Sequence, residues 1–280
     1  MQQKDNYNRF YTILEILKPF LIYYVVCNVT FLVVIFLYDA AAEFLTTGFR
    51  EYIAERAEEM TQLVNSVATV VAVLPLVPML KRELAAGAEN NSDIVINKEK
   101  TGKIRWMPSV LLIAVLAASS SVGLNILLTL TGFVQTSAVY QEVAGHQYGI
   151  AFGLGTVLFG LIAPIVEEVV FRGLVFNRMR RCCPAAPAIV VSGILFGVYH
   201  GNLVQGVYGT CMGILLAYTY EKMHSFFVPC LFHATANLVV YTLAQNAKLH
   251  MLLFTIWSCI VLLAISVICI FLIERLTSKR

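Results

Sequence analysis

APIVEEVVFRGLVFNRMRR, residues 163 to 181, holds two adjacent glutamates, Glu167 and Glu168, inside an otherwise apolar run and ends it in a cluster of arginines. A soluble helix would carry such residues on a wet face, but every neighbour from Ala163 to Val170 is apolar. Read as a membrane span, the stretch buries two carboxylates at on the order of 3 kcal/mol each on insertion scales, a cost that calls for a purpose. The fold and the candidate chemistry both follow from that reading.

Composition agrees with a membrane setting. Of 280 residues, 59% are hydrophobic and 13% charged, and the mean hydropathy is +0.76, well beyond what a soluble core of this size requires. The fold class is therefore all-α, a polytopic membrane protein. With about 20 apolar residues per span, hydropathy places about eight transmembrane helices, near 20–38, 62–80, 107–132, 149–171, 186–201, 203–220, 226–246 and 251–273. The first run lacks a small-residue cleavage site and reads as a span rather than a removed signal. The seven cysteines are an odd number, mostly in apolar runs and without a CxxC pair, and read as packing residues.

Basic residues set the orientation. Of 20 lysines and arginines, all but Arg50, Arg56 and Lys248 fall on one side of an eight-span arrangement, so the positive-inside rule puts both termini and the loop 81–106 in the cytoplasm. The net charge of +3 is thus a matter of orientation, and no nucleic-acid surface is expected. Residues 43–62, with five glutamates interleaved with Phe44, Phe49, Tyr52, Ile53 and Met60, read as an amphipathic helix on the non-cytoplasmic surface or as a solvated linker. There is neither a second domain nor an internal repeat.

Arg172 follows Glu168 by four residues and shares its helical face, which pairs the two. Glu167 is then left about 100° around the helix without a cation of its own, free to be tuned as a general base. Two histidines also sit in spans: His200 one turn after Phe196, and His233 one turn before Asn237. Gly193, Gly197 and Gly201 form a small-residue stripe beside His200, suited to close helix packing. Taken singly, an intramembrane histidine or a Glu–Arg pair is often structural. Two glutamates, two histidines and an asparagine within the last five spans carry a summed cost that favours function. Other membrane chemistries lack their residues: there is no HExxH, no GxSxG, and the three aspartates, Asp5, Asp39 and Asp93, are not deep in spans.

The sets EEVVFR (167–172), FGVYH (196–200) and HATAN (233–237) resemble the CPBP family of CAAX-type proteases and bacteriocin-processing enzymes, also called Abi, whose pattern is EExxxR, FxxxH and Hxxx followed by Asn or Asp. On this resemblance the chain divides into a two-span region with the amphipathic segment and cytoplasmic loop (1–106), a CPBP-like catalytic core (107–246), and a last span with a basic tail (247–280). The resemblance implies an intramembrane endopeptidase with a cavity opening toward the cytoplasm. By motif position Glu167 is the base that activates water with His200, Glu168 and Arg172 the supporting pair, and His233 and Asn237 the oxyanion donors. It leaves two cofactor readings, a metal-free glutamate protease, which is favoured here, and a zinc enzyme with Glu167, His200 and His233 as ligands.

The expected partners are the lipid bilayer and a peptide or protein substrate at the membrane, as in bacteriocin or signal-peptide maturation, immunity, or CAAX-type processing. The simple extramembrane segments point to a bacterial cell membrane. Two rivals remain: a non-catalytic immunity or scaffold protein, and a transporter relaying protons through Glu167 and His200.

Overall fold

The computed structural model describes residues 2–89 and 106–278. Lys98, Lys100, Lys103, Arg105, Lys279 and Arg280, and with them most of the expected cytoplasmic loop, lie outside the described residues. Among the described residues twelve helices follow in order: α1 Gln2–Ala41, α2 Thr47–Glu55, α3 Ala57–Val73, α4 Val77–Glu89, α5 Trp106–Leu130, α6 Ala138–Tyr148, α7 Phe152–Cys182, α8 Ala185–Tyr199, α9 Leu203–Met223, α10 Phe227–Ala244, α11 Ala247–Leu253 and α12 Ile256–Ser278. No strand occurs among the described residues. This is a polytopic all-α membrane protein.

Among the described residues six helical stretches are long and apolar enough to cross a membrane, against the eight expected. The difference lies in α8 and α9. α8 has 15 residues, about 22 Å at 1.5 Å per residue, and falls short of a typical hydrocarbon core of about 30 Å. α9 has 21 residues but carries polar side chains such as Gln205, Thr210 and Thr219. Together they form a hairpin that returns the chain to the end it left, so the sides assigned to later helices are unaffected. Its turn contains Gly201 at φ +75, a left-handed conformation natural for glycine. Asn202 then caps α9, accepting from Gln205 N at 2.9 Å, while its amide bonds the Gln205 side chain.

The hairpin's arms touch through glycines. A Cβ on Gly197 would lie 2.2 Å from Thr210 Oγ1 and 2.3 Å from the Gly206 carbonyl oxygen, and one on Gly213 would lie 2.9 Å from Gly193 Cα. The stripe therefore runs through Gly193 and Gly197 on α8 and Gly206, Gly209 and Gly213 on α9. Gly201, expected in it, serves the turn instead and would meet nothing within 4 Å.

α7 is longer than the sequence ruler allows. It continues past Arg172 for ten further residues to Cys182, because Arg172 is internally paired and Arg178, Arg180 and Arg181 end in ion pairs. Arg178 and Arg181 bind Glu83 of α4, Arg180 binds Glu221 of α9, and Lys222 binds Glu274 of α12. These pairs gather four helices at the arginine-bearing end of the bundle. At the other end lie α2, α6 and α11. The expected helix over 43–62 is divided: a 3-10 turn at Ala42–Phe44, then α2 with no buried residue, then the first turn of α3 from Ala57. Phe44, Phe49 and Tyr52 are all exposed, and the Tyr52 ring centre lies 4.1 Å from the Arg56 guanidinium carbon.

α1 lies against the core. Phe20 stacks near Phe171 of α7 and Tyr199 of α8, and Tyr23 OH meets Tyr199 OH at 3.1 Å. Below the level of Glu167, Val170, Phe171, Leu174, Val175 and Phe176 are all fully buried and close the bundle toward the arginine end.

Candidate functional site

The two glutamates have different surroundings. Glu168 is fully buried, and its Oε1 accepts from Arg172 Nη1 at 3.0 Å and from His233 Nδ1 at 2.8 Å. Arg172, also fully buried, gives Nη2 to the Gly213 carbonyl of α9 at 2.9 Å and lies 4.7 Å from the Phe196 ring centre. A guanidinium with no route to water must be satisfied internally. Here a carboxylate, a helix carbonyl and an aromatic face share that task for the terminal nitrogens, while Nε is buried without a hydrogen-bond partner, and the carbonyl is reachable because the glycine contact brings α9 close.

Glu167 faces the other way, into a cavity of about 460 Å³ that it shares with His200, His233 and Asn237. That volume falls within the roughly 300–1,000 Å³ range of ligand sites. Glu168 and Arg172 do not line it. His233 joins the two sides: its Nδ1 is held by Glu168, and its Nε2 is turned to Glu167 Oε2 at 3.7 Å. Sequence spacing did not reveal this bridge, because Glu168 and His233 are 65 residues apart. Phe196 fixes both imidazoles edge-on, with ring centres 4.9 Å from His200 and 5.5 Å from His233.

His200 is oriented by its own helix. Its Nδ1 donates to the Phe196 carbonyl at 2.8 Å, the end of α8 leaving that carbonyl available. The assignment leaves Nε2 as the lone-pair nitrogen. Tyr23 and Tyr199, both cavity residues, add a phenol pair that motif reading missed. Their signal was present only as aromatic residues in apolar runs, where packing is the default reading.

Two wide turns flank the glutamates. Leu158–Ile162 and Val169–Phe176 are π-helical, with the Ala163 N–H bonding back to the Leu158 carbonyl. In that register the Phe159 carbonyl would take the N–H of residue 164, and Pro164 has none. Asn237 Nδ2 fills the place, donating to Phe159 O at 2.9 Å. Of the four groups in the cavity, Asn237 thus has one amide hydrogen already engaged.

The residues expected to serve a metal can be tested in place. Carboxylate and imidazole suit zinc, and each histidine has its Nδ1 held by an oxygen acceptor, the usual arrangement behind a ligand nitrogen. Among the described residues, however, no three His, Cys, Asp or Glu side chains stand together closely enough to hold an ion. The arrangement does not fit zinc as it stands.

The cavity runs from Glu167 away from the arginine-bearing end. Its wall continues through Thr69, Ser66, Asn65 and Gln62, back along α3 toward its start, and through Gln147 and Tyr148 of α6. At that rim His146 Nδ1 meets Glu58 Oε1 at 3.3 Å and the Ala151 N–H meets Glu59 Oε1 at 3.3 Å. Burial raises the Tyr140 and Tyr148 phenol pKa values above the ordinary one, which keeps both groups neutral. The cavity's direction is opposite to the cytoplasmic opening expected from the family resemblance combined with the charge-based orientation.

Comparison with known proteins agrees with the geometry in class. Residues 149–239 match the model described as "Type II CAAX prenyl endopeptidase Rce1-like", and that segment contains all six site residues. A Bacillus subtilis (strain 168) protein named "Putative membrane peptidase YdiL" is 26% identical over 139 residues, 43% of this chain and 57% of the relative. The match therefore spans little more than half of that relative's length. No solved structure matches the chain. Residues 149–239 are thus similar to the Rce1-like domain, and the matches support the resemblance to the CPBP family.

Proposed function

We propose that the protein is an intramembrane endopeptidase that hydrolyses a peptide bond with water activated by Glu167. The carrying observation is the division between the glutamates: Glu168 is taken up by Arg172 and His233, whereas Glu167 is the carboxylate presented to the cavity. In this reading water donates its proton to Glu167, assisted by the free Nε2 of His200, and its oxygen attacks the peptide carbon. The oxyanion accepts a hydrogen bond from His233 Nε2, which requires the imidazolium because Nδ1 keeps its proton on Glu168. Asn237 contributes the amide hydrogen not engaged by Phe159. Collapse breaks the C–N bond, and Glu167 returns the proton to the leaving amine. A general base of this kind contributes about 10² to 10⁴ in rate, and one oxyanion donor about 10² to 10³.

The substrate in this reading is a peptide or small protein at the membrane, of the kind met in peptide maturation or immunity. The experiment is cleavage of a membrane-peptide library by the purified protein in liposomes, read by mass spectrometry. The wild type should give defined products, and Glu167→Gln should give at least about a hundredfold less at equal protein level. Equal cleavage by the two proteins would remove Glu167 from the role. Proton flux without cleavage would support the transporter instead.

A further inference from the structure

We infer that the substrate reaches the site from the non-cytoplasmic face, as an extended and largely uncharged stretch of polypeptide. The inference deepens the peptidase reading and rests on it for the nature of the ligand, but its geometry stands separately. Toward the arginine-bearing end the site is closed twice. A layer of fully buried side chains, Phe171 just before Arg172 and Leu174, Val175 and Phe176 just after it, lies at this level. Beyond it, Glu83 holds Arg178 and Arg181, and Glu221 holds Arg180. Toward the opposite end the cavity wall continues without such a layer to Asn65, which is exposed, and to the half-buried Gln62 and Gln147.

Which end faces which compartment follows from charge. The arginine-bearing end carries Lys81, Arg82, Arg178, Arg180, Arg181, Lys222 and Arg275, whereas Arg50, Arg56 and Lys248 lie near the other. A bias of this size places the arginine end in the cytoplasm. The open end is then the outer one.

The wall also says what it accepts. Gln62, Asn65, Asn125, Gln147 and Gln205 offer side-chain amides, each both donor and acceptor, the complement of a peptide backbone. Among the described lining residues Glu167 is the one carboxylate, and there is no lysine or arginine. Between these amides the wall is apolar and aromatic, with Leu158, Phe159, Met212, Leu216 and Phe232 among its residues, which suits uncharged side chains. A tail presented from the cytoplasm does not suit the side on which the cavity opens.

The test is accessibility from each face. A single cysteine at position 65 (Asn65→Cys) in a background with the native cysteines replaced is treated with a membrane-impermeant methanethiosulfonate, in right-side-out and in inverted membrane vesicles. Labelling from the outer face at least tenfold faster, with cleavage falling in proportion to the fraction labelled, is expected. Labelling that is equal or faster from the arginine-bearing face overturns the proposal, as does failure of the outer reagent to reach the site. Sidedness is read without turnover, so a protein that never cleaves a peptide refutes the peptidase reading and leaves this measurement intact. Should the substituted background fold poorly, the wild type serves. Cys27 lines the cavity and should be labelled from outside, while Cys182 at the arginine end should be labelled from inside; the reverse assignment overturns the proposal equally.

Discussion

Asn237 donates its side-chain amide to the carbonyl of Phe159 at 2.9 Å, a carbonyl that Pro164 cannot serve. The family resemblance assigns Asn237 to the oxyanion, and this bond gives it a second task, holding the wide turn that precedes Glu167. The two tasks separate in a double-mutant cycle. Asn237→Ala should destabilise by about 1–3 kcal/mol by orphaning the carbonyl. Pro164→Ala restores an N–H, so Asn237→Ala in that background should cost at least about 1 kcal/mol less. Thermal unfolding in detergent measures the coupling, and strict additivity would show that the bond carries no stability.

Glu168 and Arg172 should fail differently from Glu167. Glu168→Gln leaves a fully buried guanidinium without its counter-charge and leaves His233 Nδ1 only a neutral amide oxygen in place of a carboxylate, so about 3–5 kcal/mol of stability should be lost along with turnover. Adding Arg172→Gln removes the stranded charge. Protein level, followed by immunoblot of membranes, should recover more than activity does, because the imidazolium form of His233 still lacks its carboxylate partner. Full recovery of cleavage in the double variant would show that the pair has no part in positioning His233.

Gly213→Ala tests the hairpin contact. The new methyl would meet Gly193 Cα at 2.9 Å and Phe196 Cβ at 3.1 Å, so α8 must move and the carbonyl held by Arg172 with it. A loss of about 1–3 kcal/mol is expected from the overpacking, with reduced cleavage. Gly201→Ala, at positive φ in open space, should cost about 1–2 kcal/mol through backbone strain alone. Comparing the two in the same unfolding assay separates a packing glycine from a turn glycine. A Gly213→Ala protein as stable as the wild type would mean the arms tolerate separation.

Zinc removal is expected to leave cleavage intact, since the proposed base and its helper need no ion. Extensive dialysis against a chelator, metal analysis of the product and an assay before and after zinc is returned give the answer. Loss on chelation with recovery on adding zinc would require the three donors to draw together around an ion and would replace the base assignment.

Hydropathy located the six long apolar helices because the cost of exposing backbone in lipid leaves a long, uniform signal, whereas α8 and α9, expected as full spans, are helical but too short or too polar to count with them. The Glu168–Arg172 pair was equally legible, being local and four residues apart. What the sequence hid has a common physical cause: partners far apart in the chain. The His233–Glu168 bond, the Tyr23–Tyr199 pair and the Glu83 clamp on Arg178 and Arg181 each join helices whose relative rotation no periodicity reports. The end of α7 was misplaced because a charged residue is read as leaving the membrane, and Arg172 stays inside by virtue of Gly213, 41 residues later. The π-helical turns were hidden for a different reason: Pro164 and Asn237 each have commonplace readings until they are seen to serve one carbonyl.

The wall of the cavity is shared between parts of the chain that the motifs treat unequally. The proposed reacting groups come from α7, α8 and α10, inside the segment that matches the family model, whereas part of the enclosure comes from Tyr23, Tyr24 and Asn28 of α1 and from α3. In the proposed reading, selectivity is thus shared with a stretch of the gene that carries none of the proposed chemistry. Substitutions in the first ninety codons can change what is admitted while the hydrolytic groups stay as they are, and a grafted pair of leading helices would be a direct way to retarget the same centre.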